Sequence, residues 1–508
     1  MNPTPFQSRA AGVLLHPTSL PGPHGIGDLG PSSRAWVDAL AQAKQQWWQM
    51  LPLSPTGFAD SPYQCLSTFA GNPNLISPDD LVKDGLLRRR DVAGQAFDTR
   101  RVDFGAVLPF KAKLLARAWE NFKRGAARRL KRDFEKFCVE EKSWLKDFAL
   151  FMALKDARGG AIWFEWEPEL IERRPAALAR AGESLRDSVR QHEFRQFLFF
   201  RQWRALKDYA NARGVKLIGD IPIFVSGDSA DVWSRPGEFL LDERRRPKVV
   251  AGVPPDYFSK TGQLWGNPHY DWKAMKQTGY RWWIARVRAT LRMVDVVRVD
   301  HFRGFEAAWQ VPGGDATAQR GRWVKGPGAD LFAKLRAALG PLPIIAEDLG
   351  LITPAVDALR ARFNFPGMRI LQFAFGGAVE NRFLPHHYER NTIVYTGTHD
   401  NDTTRGWFAT ASRKERRLLR RYLGHPCDDR RVSWELMRLA WSSVADLAIA
   451  PLQDVLNLGT EARMNFPGQS SGWWRWRFTS SQLTGAALDR LGEMTEVYSR
   501  APKPAGKT

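Results

Sequence analysis

Short apolar runs recur along the chain, and most end in polar, Gly- or Pro-bearing turns. They are GVLLH (12–16), WWQMLPL (47–53), VKLIGDIPIFV (215–225), MVDVVRVDH (293–301), LPIIAEDLG (342–350), MRILQFAF (368–375), TIVYTGTHD (392–400) and DLAIAPLQD (446–454). These eight are rich in apolar and β-branched residues and read as buried strands. Helix-like stretches lie between several of them: SSRAWVDALAQAK, FRQFLFFRQWRALKDYANARG and ADLFAKLRAALG. Ser32 or Ser33 is placed to cap the first, and Gly214 and Gly340 stand where the other two stop. Strand–helix alternation repeated about eight times predicts an α/β fold, a parallel (β/α)8 TIM barrel. A doubly wound open sheet is the competing layout.

Two spacings are too long for a single crossover. Residues 56–195 hold a loop region and then a charged, helix-rich stretch, read as an insertion after strand two. Residues 226–280 are rich in Gly, Pro and aromatics, and read as loops or a lid over the barrel mouth after strand three. Residues 1–508 are therefore expected to form a single catalytic barrel with large helical and loop insertions around its C-terminal face. The last residues, RAPKPAGKT (500–508), read as a frayed tail.

Composition narrows the classes. The chain has 508 residues, 44% hydrophobic and 25% charged, with three scattered cysteines that suit neither a disulfide framework nor a zinc cluster. No run has the length of a signal peptide's apolar core or a membrane span, so the expectation is a cytoplasmic protein with no membrane partner. The net charge of +21 invites a nucleic-acid reading. The basic residues are dispersed, however, in clusters such as LLRRRD, DERRRPK and RKERRLLRR spaced like solvated helix faces, and no nucleic-acid partner is expected. The 21 tryptophans suit core packing and also platforms for ligands with apolar faces, sugars among them. GIGDLG (25–30) matches the dinucleotide fingerprint, but three prolines separate it from its strand and no acidic strand end follows at the proper distance. No cofactor is implied, and the histidines lack metal-ligand spacing.

The strand ends carry the chemistry. Arg298 and Asp300 sit two apart on one strand face, and a buried ion pair is a weak device for stability alone. Asp300 ends the fourth run, Glu347 the fifth and Asp400 the seventh, while Asp220 lies within the third. In a parallel barrel the strand C-termini share one face, where catalytic groups converge. Retaining glycosyl transfer requires such a set: one carboxylate attacks the anomeric carbon, and a second protonates the leaving oxygen. Arg298 would favour an ionised Asp300, and Glu347 would need surroundings that raise its pKa.

The motifs DSPYQCLSTFAGNPNLI, GDIPIFV, GVPPDYFSKTGQLWGNPHYDW, RVDHFRGFE, IIAEDLG, TGTHDNDTTRGW and ARMNFPG resemble the amylomaltases, or 4-α-glucanotransferases, of glycoside hydrolase family 77 in the α-amylase clan. The resemblance covers nearly the whole chain. It implies Asp300 as nucleophile, Glu347 as acid/base and Asp400 as transition-state stabiliser. It also implies that Arg298, His399 and Asp220 line the pocket, that Tyr63 and Ser61 meet the donor glucose, and that Trp265 stacks on an acceptor ring. Asn465 would approach from another loop, and 251–258 would form a lid.

The implied partners are maltooligosaccharides and α-1,4-glucans as donor and acceptor, with glucose as a further acceptor. One departure stands out: after LQFAF the family commonly carries a glucan-binding acidic residue, whereas Gly376 and Gly377 occur here, with Glu380 close by. A hydrolase of the same clan uses the same carboxylates and is the nearest rival. A non-catalytic binding protein would not need the trio.

Overall fold

A computed structural model of the protein describes residues 5–6, 8–255, 259–377, 381–469 and 471–503. Each of the eight apolar runs contributes one strand to a single parallel sheet: β1 (Ala10–Leu14), β2 (Trp47–Gln49), β3 (Lys216–Pro222), β6 (Val296–Asp300), β9 (Ile344–Ala346), β10 (Gly367–Ile370), β11 (Thr392–Tyr395) and β12 (Leu447–Pro451). The strand order is β10-β11-β12-β1-β2-β3-β6-β9, which is chain order followed around a circle. The strands are largely apolar on both faces because side chains fill the inside and helices cover the outside. All five residues of β1 and all five of β12 are buried. At the seam between β9 and β10 the Ala346 amide donates to Pro366 O (3.0 Å), and the ring of strands nearly closes.

Between β2 and β3 lies a helix-rich segment that ends in the 27-residue helix Arg186–Ala212. That helix buries Phe194, Phe197, Leu198, Trp203, Leu206 and Ala210, on the three- and four-residue spacing of an apolar helix face. It stops before Gly214, whose φ is +75°. Helix Gly328–Leu339 likewise ends on Gly340 (φ +79°).

Two local expectations need correction, and one motif finds its reason. Helix Pro31–Gln42 is capped by Gly30 rather than by a serine; Ser33 Oγ donates instead to Asp28 O. Gly27 in the fingerprint-like stretch is explained by packing, because a Cβ there would lie 2.0 Å from Pro17 O. Residues 226–280 are not only loops. They contain β4 (Val249–Val253) and β5 (Gln263–Pro268), which join β7 (Ala307–Pro312) and β8 (Arg322–Lys325) in an antiparallel sheet of order β5-β4-β7-β8. The proposed lid accordingly begins inside β4, and its residues 256–258 lie outside the described residues.

The tail expectation also fails at its first residue. Arg500 is fully buried. Its guanidinium donates to the main-chain oxygens of Ala10 (3.0 Å), Trp441 (2.8 Å), Ser443 (3.0 Å) and Ala445 (2.9 Å). Five fixed donors suit a cluster of carbonyls converging on one point. Residues 504–508 lie outside the described residues. No helix among the described residues is long and apolar enough to cross a membrane.

The β1–β2 contact is tight enough to test. A Cβ at Gly12 would meet Trp47 O at 2.4 Å and Trp47 Cβ at 2.7 Å. Gly12→Ala should therefore cost about 1–3 kcal/mol, as other overpacked core positions do. A denaturant midpoint equal to that of the parent chain would contradict this packing.

Candidate active site

Alternation along β6 turns Arg298 and Asp300 to one face. The β3–β6 register sets Arg298 opposite Asp220 and Asp300 opposite Pro222. Arg298 Nη1 donates to Asp220 Oδ2 at 2.6 Å and Arg298 Nη2 to Asp300 Oδ1 at 2.9 Å. The exposures differ in a useful way: the Asp220 and Arg298 side chains are 0% and 4% exposed, whereas Asp300 is 31% exposed. Arg298 is thus a buried clamp, and only Asp300 of the three faces the mouth. Tyr63 Oη donates to Asp220 Oδ2 (2.8 Å), and Ser61 Oγ accepts from the Tyr63 amide (3.3 Å).

Glu347 follows β9, the neighbour of β6. Its Oε2 accepts from the His301 amide (2.7 Å) and its Oε1 from the Leu349 amide (2.8 Å). His301 reaches this position with a left-handed backbone, φ +51°, a conformation uncommon outside glycine and found often at functional turns. Trp265 on β5 meets the His301 ring edge to face, with centroids 4.8 Å apart.

The third carboxylate comes from the loop after β11. Asp400 Oδ1 accepts from Asn465 Nδ2 (2.7 Å), and Asp400 Oδ2 lies 3.4 Å from His399 Nε2. His399 is stacked on Tyr63, with centroids 5.2 Å apart and planes 14° apart. The structure therefore brings nine of the ten residues singled out from sequence into one connected set. Ser61 joins it only through the Tyr63 amide.

Sequence reasoning missed further members. Arg463 donates to Asp400 O (2.7 Å) and Asn465 O (2.7 Å). Trp474 leans over both Tyr63 and His399, with both centroid distances 6.0 Å. Arg463 stands in the same ARMNFPG motif as Asn465 and Trp474 in a tryptophan cluster, so both signals were present without a reason to point them at Asp400. Glu380 lies outside the described residues.

The electrostatics separate the carboxyl groups. Burial pushes Glu347 up to about 8, and the nearby Asp300 adds to this; Arg298 and the Leu349 and His301 amides oppose it. Burial also raises Asp220, against the pull of Arg298. Burial penalises the Arg298 charge, but Asp220 and Asp300 outweigh that and hold it well above the ordinary guanidinium value. Burial, reinforced by Asp220, keeps the Tyr63 phenol un-ionised. A protonated acid beside a solvent-facing carboxylate at neighbouring strand ends suits paired acid and nucleophile chemistry at an acetal carbon. Among the described residues no group of three His, Cys, Asp or Glu is arranged to hold a metal ion.

Comparison with known proteins identifies the family. A family model described as 4-alpha-glucanotransferase matches residues 15–483. The 4-alpha-glucanotransferase of Synechocystis sp. is 50% identical over 500 residues, covering 97% of this chain and 99% of that protein. The one from Thermus thermophilus is 50% identical over 497 residues, covering 96% and 99%. The solved structure of amylomaltase from Streptococcus agalactiae in complex with acarbose superposes with a TM-score of 0.95 at 40% identity, covering 97% of this chain and 100% of that one.

The clamp makes a pH-dependent prediction. Arg298→Gln leaves buried Asp220 without its counter-ion and should cost about 3–5 kcal/mol near neutral pH. Asp220 already has a folded pKa above its unfolded value of about 3.9, and the substitution raises it further. A raised carboxyl contributes stability that is complete below the unfolded value and is lost as pH rises. The gap between variant and parent should therefore be small near pH 4 and widen towards pH 8 in denaturant titrations. A gap independent of pH would contradict the clamp.

Proposed function

The chain belongs to the 4-alpha-glucanotransferase family, glycoside hydrolase family 77, and its activity is the transfer of α-1,4-glucan segments; on that premise we propose that transfer proceeds with retention, through a glycosyl ester on Asp300. The observation that carries this reading is the pairing of Asp300 with Glu347 at the ends of adjacent strands. One is bonded to a buried guanidinium and open to the mouth, and the other is buried and pushed up to about 8.

Asp300 Oδ1 is engaged by Arg298, which leaves Oδ2 to attack the anomeric carbon. As that bond forms, protonated Glu347 gives its proton to the glycosidic oxygen, and the reducing-end part of the donor leaves with a free 4-hydroxyl. The acceptor's 4-hydroxyl then passes its proton to the Glu347 carboxylate while its oxygen attacks the same carbon, releasing Asp300. Asp400, held by Asn465 and beside His399, sits on the other side of the mouth as the anion that steadies oxocarbenium-like charge. Glucose and maltooligosaccharides serve as acceptors, with Trp265 as the stacking surface. No step draws on a cofactor.

Transfer must outrun hydrolysis. Water stands at about 55 M, so an acceptor succeeds only through a large effective molarity, and well-placed groups reach about 10⁵ M or more. The hydrolase alternative is not favoured, since the close relatives carry the transferase name.

Two measurements test the scheme. With α-maltosyl fluoride as donor, whose leaving group needs no proton, Glu347→Gln should keep a measurable glycosylation rate while losing at least about 10³-fold on maltotriose, roughly 4 kcal/mol of barrier. Equal loss on both donors would remove Glu347 from the acid role, and a β-linked product from the α-fluoride would remove retention.

With maltotriose alone, the parent chain should give glucose and a ladder of longer maltooligosaccharides at nearly constant total reducing ends. Trp265→Ala should raise the share of reducing-end growth by lowering acceptor capture. An unchanged product ratio in the variant would take Trp265 out of the acceptor site.

A further inference from the structure

Behind Glu347 lies a second charged cluster that the scheme above does not use. Asp348 is 0% exposed. Its Oδ1 accepts from the Met368 amide (2.7 Å), and its Oδ2 lies 3.3 Å from Arg369 Nη1, 3.5 Å from Arg382 Nη2 and 3.7 Å from Arg360 Nε. Arg382 Nη2 also donates to the Asp348 carbonyl (2.5 Å). Gly367 is required at this point, because a Cβ there would lie 2.5 Å from Asp348 Oδ2. The cluster occupies the β9–β10 seam, where the barrel has no regular ladder.

Three guanidinium groups around one buried carboxylate leave an excess of positive charge, and among the described residues Asp357, 3.9 Å from Arg360, offsets it further. Burial lowers the Arg382 pKa, and Asp348 opposes that while Arg369 and Arg360 add to it. From the mouth, Glu347 faces Asp300 and Arg298 on β6 and His301 just after it, with Asp220 and Tyr63 beyond. His301 is neutral there, pushed down to about 3 by burial and by Arg303. From behind, the arginine cluster begins one residue away.

We propose that Asp348 is a positioning residue for Glu347, a reading that rests on Glu347 being the acid/base group: its carboxylate pins the 347–349 backbone across the seam and cancels arginine charge that would otherwise hold Glu347 ionised. The anchored segment supplies the Leu349 amide that Glu347 Oε1 accepts. Cations favour a carboxylate over its acid, so the charge at Asp348 sets how far up the pH scale the acid stays protonated. Asp348→Asn adds one unit of uncompensated positive charge behind Glu347 and lowers its pKa. Arg382→Gln removes one cation from the rim and raises it.

The test is the pH dependence of kcat/KM on two donors. With maltotriose the parent chain should lose activity on the basic side as Glu347 ionises, and with α-maltosyl fluoride this limb should be absent. A limb shared by both donors would sink the acid/base reading itself, whatever the variants do. Where the limb is specific to maltotriose, Asp348→Asn should move it down and Arg382→Gln should move it up, each by about one pH unit, a shift that a unit charge produces out to about 12 Å at an effective dielectric near 20. Reduced rates with an unmoved limb, or shifts in the same direction for both variants, would overturn the proposal. If Asp348→Asn does not fold, Arg382→Gln decides alone, and only an upward shift sustains it.

Discussion

Arg298 is buried between Asp220 at 2.6 Å and Asp300 at 2.9 Å. A guanidinium taken out of water alone would carry a desolvation penalty of several kcal/mol, which only close, well-aimed anions offset. Those anions are supplied by β6 itself and by the residue opposite on β3, so the ion cluster and the strand register require each other. A one-residue slip would turn Arg298 to the other face and leave both carboxylates unpaired. Tyr63 completes Asp220 and carries His399 on its ring, which extends the same constraint to the side of the mouth where Asp400 stands.

The clamp also apportions protons. Asp220, Asp300 and Glu347 are three carboxyl groups around one guanidinium, and full ionisation would leave two uncompensated negative charges in a partly buried site. Asp220 and Asp300 each hold a direct bond to Arg298, whereas among the described residues Glu347 is bonded to neutral amides. The group without an ionic partner is pushed up to about 8, and burial raises Asp220 as well, against the pull of Arg298. Burial and a neighbouring anion thus make an acid out of a residue whose ordinary pKa is about 4.3.

Much of this was legible in the chain. The eight barrel strands are mostly apolar, and runs such as LAIAP and VVRVD announce themselves by composition alone. The carboxylates were legible because strand ends of a parallel barrel share a face. The antiparallel sheet was not. Its β8, RWVK, has three exposed residues of four, and β5, QLWGNP, has an exposed or half-exposed first half, so neither shows alternation or an apolar run. Arg500 was misread because a terminal Pro- and Lys-rich stretch carries no trace of the carbonyl cluster it meets in space. The Arg463 contact with Asp400 O spans 63 residues, and no local pattern encodes a bond of that separation.

The arrangement that raises Glu347 also undoes itself at the right moment in the proposed cycle. Burial is the larger cause of its shift, and the Asp300 charge is the next. Attack on the anomeric carbon converts that charge into a neutral ester, so the second cause disappears while Arg298 and the two amides remain. Glu347 has by then given up its proton, and its pKa falls towards the range where a carboxylate persists long enough to wait for an acceptor hydroxyl. When the acceptor attacks, the ester bond breaks, Asp300 regains its charge, and Glu347 is again the stronger base and takes the acceptor's proton. Acid in the first half and base in the second thus follow from one fixed geometry, because the only charge that changes beside Glu347 is the one the reaction itself creates and removes.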